Sequence, residues 1–290
     1  MDGFRVEDGP TGRVVVVTGD WNPSAEEAVS RPDVTGLTLN YAAGFRERNL
    51  DFLGEWPIQR LNILARTIDD LSPVYRLAGT LERLSVQSSP RASIDLRQLP
   101  WLTAAAAEWT QIADTIEYAI GLNDLSAASY SPADLLPLQR NQGLSRLRMK
   151  QHPRLESLEG IQSLPALAEI GIFGARRLAD IEALARSDAP QELRSLDLGS
   201  SSGFVSLDAL AGRAGLRTLG IANLGPITSL RPLEGMTTLE RLMAYESTRI
   251  ANGDLSPLLS LTGLKDLRMM NRKHYRPTVA EVKGELGLTD

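Results

Sequence analysis

The run Gly199-Ser200-Ser201-Ser202-Gly203 has the Gly-x-Ser-x-Gly spacing by which some hydrolases hold a serine nucleophile on a sharp turn. Asp254 or Asp266, followed by His274, would supply an acid and a base in the matching chain order. That chemistry needs Ser201 exposed where a strand enters a long helix. Here Phe204, Leu207 and Leu210 follow at a spacing of three, which predicts a short turn segment, and the serines are expected to serve that turn. Val14 to Val17 lead into Thr18-Gly19-Asp20 like the start of a nucleotide-binding unit, but no Gly-x-Gly-x-x-Gly or Gly-Lys-Ser/Thr follows. Asp69-Asp70 are placed to cap the segment after them, with room for a loose cation. With 2 histidines and no cysteine, ligands for zinc are too few, so no metal site and no cofactor are expected.

Composition narrows the choice further. The missing cysteines remove disulfides, cysteine nucleophiles and thioester chemistry together. A net charge of -5, from 31 basic and 36 acidic residues, leaves no global footprint for nucleic acid or anionic lipid. The first ten residues carry Asp2, Glu7 and Asp8 and lack the basic start and apolar run of a signal peptide. Val14 to Val17 are too few to cross a bilayer. The expectation is a cytoplasmic protein with no nucleic acid or membrane partner.

What must position any site is a repeat. Leucine accounts for 46 of 290 residues, and much of it falls into the pattern apolar-x-x-apolar-x-apolar. Clear copies are Val34-Leu37-Leu39, Ile58-Leu61-Ile63, Leu81-Leu84-Val86, Leu144-Leu147-Met149, Leu167-Ile170-Ile172, Leu193-Leu196-Leu198, Leu216-Leu219-Ile221, Leu239-Leu242-Ala244 and Leu264-Leu267-Met269. Leu102-Ala105-Ala107 and Leu122-Leu125-Ala127 fill the gap, making 11 copies whose first positions lie 20 to 26 residues apart. The last anchors of each copy alternate as in a strand with one buried face. The return segments place apolar residues every third position, as in Leu155-Leu158-Ile161-Leu164-Leu167, which suits a 3₁₀ turn. One such unit cannot bury its own leucines, so units stack with their strands parallel.

These copies resemble the leucine-rich-repeat superfamily, nearest to its short bacterial internalin-like and phosphatase-regulator-like class, over about residues 34 to 286. The resemblance implies an α/β solenoid with a parallel sheet on the concave face and 3₁₀ or irregular convex segments. In one respect the chain departs from that family. Three residues after the last strand anchor the family places an asparagine that ladders to buried backbone, whereas this chain has Ala42, Arg66, Ser89, Thr110, Tyr130, His152, Ala175, Ser201, Leu224, Ser247 and Arg272. The backbone groups there are expected to pair with Ser or Thr, with other backbone or with water.

Open solenoid ends need covering. Phe4 to Val6 and Arg13 to Thr18 read as a hairpin around a loop at 7–12, and Ser24 with Glu27 as a capping pair for a helix ending at Val29. Thr278 with Glu281 is a second such pair, for a helix through Leu286. The expected organisation is an N-terminal cap at 1–33, an array of about eleven repeats at 34–275, and a C-terminal capping helix at 276–290.

Residues alternating with the strand anchors point away from the core and form the candidate surface. They include Arg60, Arg83, a basic stripe of Arg146, Arg148 and Lys150, then Phe173, a small-residue saddle of Ser195, Asp197, Gly199, Thr218, Gly220 and Ala222, and finally Arg241, Met243, Tyr245, Arg268 and Met270. Arg, Tyr, Phe and Met are enriched in interface cores. The expected function is a non-catalytic module, an adaptor or scaffold, that binds another protein through this face, with the basic stripe meeting an acidic patch. Two alternatives stand beside it: a dedicated inhibitor or immunity protein that blocks a bacterial toxin or enzyme, and a serine hydrolase using Ser201.

Overall fold

The computed structural model describes residues 3–201, 203–204 and 206–288. The chain forms two compact units, Met1–Ala127 and Ala128–Asp290.

In the first unit, β1 (Phe4–Gly9) and β2 (Gly12–Val17) pair antiparallel with Gly9 opposite Gly12, so the expected six-residue loop is a two-residue turn at Pro10 and Thr11. Helix α1 (Pro23–Val29) is capped by Asn22, whose side chain accepts from the Ala25 N–H, rather than by Ser24 with Glu27. The helix starts earlier than expected because Pro23 already has helical φ and sacrifices no N–H in the first turn. Strands β3 (Val34–Asn40), β4 (Arg60–Leu64), β5 (Arg83–Gln87) and β6 (Ala104–Glu108) follow β2 in parallel, with Leu37, Leu61, Leu84 and Ala105 in one register row. The alanine copy is therefore a true repeat, and β7 (Asp124–Ala128) is the next. A ring cluster ties the segment before α1 to the one between β3 and β4, with half-buried Trp21 stacked on Phe52 at 4.3 Å and on the buried Trp56 at 5.5 Å. After β6 the chain makes a short helix, α2 (Trp109–Ile112). Asp70 accepts from the Ser72 N–H and hydroxyl at the start of the 3₁₀ segment Ser72–Leu77, so one member of the carboxylate pair read as a cap bonds the first residue of that segment.

The second unit repeats one plan more strictly. Strands β8 (Arg146–Lys150), β9 (Glu169–Ile172), β10 (Ser195–Asp197) and β11 (Thr218–Gly220) run parallel. After the short strand β12 (Pro226–Ile227), β13 (Arg241–Ala244) continues the ladder. A second short strand, β14 (Arg249–Ile250), pairs with β12, and β15 (Asp266–Met269) pairs with β13. The small β12–β14 sheet had no signal beyond two-residue runs. Return segments are 3₁₀ turns at Leu136–Leu138, Ile161–Ser163, Glu182–Ala185, Asp208–Leu210, Arg231–Leu233 and Ser256–Ser260. Two residues past the last strand anchor, Gln151, Gly174, Ser200, Asn223 and Glu246 all take left-handed φ, between 57° and 78°. A tight reversal at a fixed place explains that recurrence, even at residues for which the conformation is costly. Helix α3 (Val279–Glu285) opens on the expected Thr278–Glu281 capping box.

The row Leu147, Ile170, Leu196, Leu219, Leu242 and Leu267 is buried throughout. Truncating Leu196 or Leu219 to alanine should destabilise the protein by about 2–5 kcal/mol, because a cavity is added to the lost transfer energy. Urea denaturation measures this. A midpoint that stays in place would show that the register is different.

Candidate functional site: the outer face of the second sheet

The register fixes what stands beside what on the outer face. One row runs Arg146, Glu169, Ser195, Thr218, Arg241, Asp266, and the next Arg148, Gly171, Asp197, Gly220, Met243, Arg268. Like charges would repel at such spacing, and neighbouring opposite charges pair. Glu169 accepts from Arg146 Nε at 2.8 Å and lies 4.0 Å from Arg148 Nη2. The Arg146 bond holds the Glu169 carboxyl below its ordinary range. Asp266 bridges Arg241, at 3.1 Å, and Arg268, at 3.2 Å. Glu169 thus tempers the basic stripe of Arg146, Arg148 and Lys150, which is less basic than its own sequence suggests. Each exposed pair is worth little to stability.

Between these charged ends the small-residue saddle forms a cleft of about 150 Å³, lined by Phe173, Asp197, Gly199, Ser200, Gly220, Ala222, Asn223, Met243, Tyr245 and Glu246. Three of the expected surface residues, Phe173, Met243 and Tyr245, therefore share one site. Met270, just past the end of β15, is exposed. Arg60 and Arg83 are register partners on the sheet of the first unit, where Arg60 donates to the Thr35 hydroxyl at 3.2 Å.

Asp197 was legible only as part of the small saddle, yet it brings a half-buried charge into the cleft, which Glu246 also lines. Its Oδ1 accepts from the Gly199 N–H at 3.0 Å, and among the described residues no cation pairs with it. Loss of solvent raises its pKa above the ordinary value, and the Gly199 bond opposes that shift. Glycines on either side make room. A Cβ at Gly220 would stand 2.5 Å from the Asp197 carboxylate, and one at Gly171 would stand 2.9 Å from the Phe173 ring.

The sequence matches no protein-family model and no curated protein. Among solved structures, the chain is similar to an internalin of Listeria monocytogenes, InlF, with a TM-score of 0.64 at 18% identity, covering 88% of this chain and 75% of that one. It is also similar to a leucine-rich-repeat protein of Leptospira interrogans, with a TM-score of 0.51 at 16% identity, covering 86% and 58%. The fold is that of the leucine-rich-repeat proteins.

A leucine-rich-repeat chain without an asparagine ladder needs other partners for its buried turns, and hydroxyls supply them. Ser201, fully buried, accepts from the Ala175 N–H at 3.2 Å and donates to the Ile172 carbonyl at 3.3 Å. Thr248 makes the equivalent bridge, accepting from Leu224 N–H at 2.9 Å and donating to the Ile221 carbonyl at 2.6 Å. In the first unit Thr115 joins the Leu96 N–H and Ile94 carbonyl in the same way. The hydrolase reading of Ser201 is thereby corrected: its hydroxyl faces the core and is committed to backbone. His274 bonds the Ile250 carbonyl at 2.9 Å, and Ser202 lies outside the described residues. Within the described residues, no helix is long and apolar enough to cross a membrane.

Two outcomes are expected. Ser201→Ala strands a buried N–H and a buried carbonyl, and should lower stability by about 1–3 kcal/mol, read as a shifted urea midpoint at unchanged slope. An unchanged midpoint would show that the bridge does not matter. For Asp197 the sign follows from linkage. A raised native pKa means the native state holds a proton that the unfolded state has already released, so stability falls as pH rises from the ordinary carboxylate value of 3.8 through the native value. Asp197→Asn should therefore be more stable than the parent at neutral pH. Denaturation curves against pH should show the gap closing towards acid, and a constant gap would contradict the desolvation account.

Proposed function

We propose that this chain is a non-catalytic protein-binding module that presents the outer face of its second sheet to a protein partner. The observation that carries the proposal is the cleft in which Phe173, Met243 and Tyr245 converge on a rigid ladder of parallel strands. A preformed surface gives up little entropy on docking, so a few anchors suffice for affinity. The partner's acidic patch faces Arg146, Arg148 and Lys150, and its apolar or aromatic side chains meet the cleft. Arg241, Arg268 and Met270 extend this contact beyond the cleft, and Arg60 and Arg83, on the sheet of the first unit, are proposed as partner contacts in their own right. Adaptor or scaffold is the role this surface supports.

Binding kinetics at two ionic strengths test the division of labour, after affinity capture of the partner from the native organism. Replacing Arg146, Arg148 and Lys150 with Glu should slow association, and raised salt should shrink the effect, because exposed charges steer encounter only within about 8 Å at physiological ionic strength. Tyr245→Ala or Phe173→Ala should instead speed dissociation by about thirtyfold, the equivalent of roughly 2 kcal/mol for a hot spot, at either salt concentration. If neither set changes either rate while Arg231→Glu, in a return segment, abolishes binding, the outer sheet face is not the binding surface.

A further inference from the structure

The cleft on the outer face is more specific than an apolar anchor site. It is lined by a carboxylate, Asp197, flanked in the register row by Gly171 and Gly220, and by a second, Glu246, on an exposed residue past the end of β13. Phe173 and Tyr245 line the same cleft. The other carboxylates of these rows are engaged, Glu169 by Arg146 and Arg148, and Asp266 by Arg241 and Arg268. Asp197 alone has only a backbone N–H, on one oxygen, and among the described residues its second oxygen has no donor.

We propose that this cleft binds one cationic side chain, an arginine or lysine, of the protein partner, with the Asp197 carboxylate pairing with the charge and the Phe173 and Tyr245 rings flanking it. This rests on the protein-binding reading above and adds the chemistry of one contact. Three physical points favour a cation. A half-buried carboxylate without a counter-charge is expensive, and an arriving cation relieves that cost. The electron-rich faces of Phe and Tyr attract ammonium and guanidinium groups, more strongly once water is excluded. Finally, a volume of about 150 Å³ admits the end of one side chain, whereas sites for whole small-molecule ligands occupy roughly 300–1,000 Å³. Raising of the Asp197 pKa by burial agrees with an under-compensated group. The glycines make the site possible, since a side chain at position 220 would push the carboxylate aside.

The test needs no partner. Nα-acetyl-arginine methylamide, its lysine counterpart and the uncharged norleucine counterpart are titrated into the isotope-labelled full chain, and the amide resonances of Gly199, Gly220 and Tyr245 are followed. The arginine or lysine probe should move these resonances to saturation in the millimolar range, and the norleucine probe should not. Asp197→Asn keeps an oxygen for the Gly199 N–H, so its spectrum should otherwise be unchanged while the probe affinity falls at least tenfold. Gly220→Ala, which displaces the carboxylate without removing it, should weaken the same probe. Equal shifts with norleucine, no shifts with either cation, or parental affinity in Asp197→Asn would overturn the proposal. Failure here is separable from failure of the broader reading. If partner dissociation speeds up in Tyr245→Ala and is untouched in Asp197→Asn, the binding face stands and the cation site falls. If both variants bind the partner as the parent does, the face itself falls.

Discussion

The structure depends on a single constraint, that every strand must meet its neighbour in the same register. Each repeat has too few leucines to close a core by itself and gains burial only when its inward anchors stack on those of the next copy. The row from Leu147 to Leu267 is the result. A slip of one residue in any strand would turn its leucines outward and its charged residues inward. The penalty recurs at each interface, so small departures such as Ala105 and Ala107 in β6 are tolerated while the alternation is not.

That constraint is why so much of the fold was legible. The anchors, the 3₁₀ return segments and the Thr278 capping box all follow from periodicity or local hydrogen-bond chemistry, which sequence records directly. What escaped was decided by competition between neighbours. Asn22 displaced Ser24 as a cap because Pro23 follows it. The ring cluster of Trp21, Phe52 and Trp56 joins residues from separate segments with no common spacing. The turn hydroxyls were only half visible. Ser201 occupies the position where an asparagine was sought, but the bridging Thr248 comes one residue after Ser247, since the turn and not the count fixes which side chain reaches the backbone.

The same register turns the outer face into columns where each repeat contributes one residue per row, and single differences between copies then set the chemistry. Arginines recur at the ends of the rows, and the acids one strand away partly neutralise them. Sequence shows the basic stripe as a run within β8, but a carboxylate that tempers it belongs to β9, 23 residues on. Charge on a repeat surface must therefore be read across strands as well as along them.

Asp197 illustrates how much that change of direction matters. Along the chain it sits among serine, leucine and glycine and looks like part of a turn. Across the sheet it is the half-buried acid that no arginine in its own or the adjacent row neutralises, between two glycines. A sequence selected for stability alone could place a neutral residue here, as it does with Ser195 and Thr218 one row away, and avoid the desolvation cost. Natural proteins depart from such local rules mainly at functional sites, where a later contact repays the cost. The aromatic walls, the missing counter-charge and the glycine gaps depart from the rule at one place, and that coincidence directs attention to this cleft over the more conspicuous basic stripe.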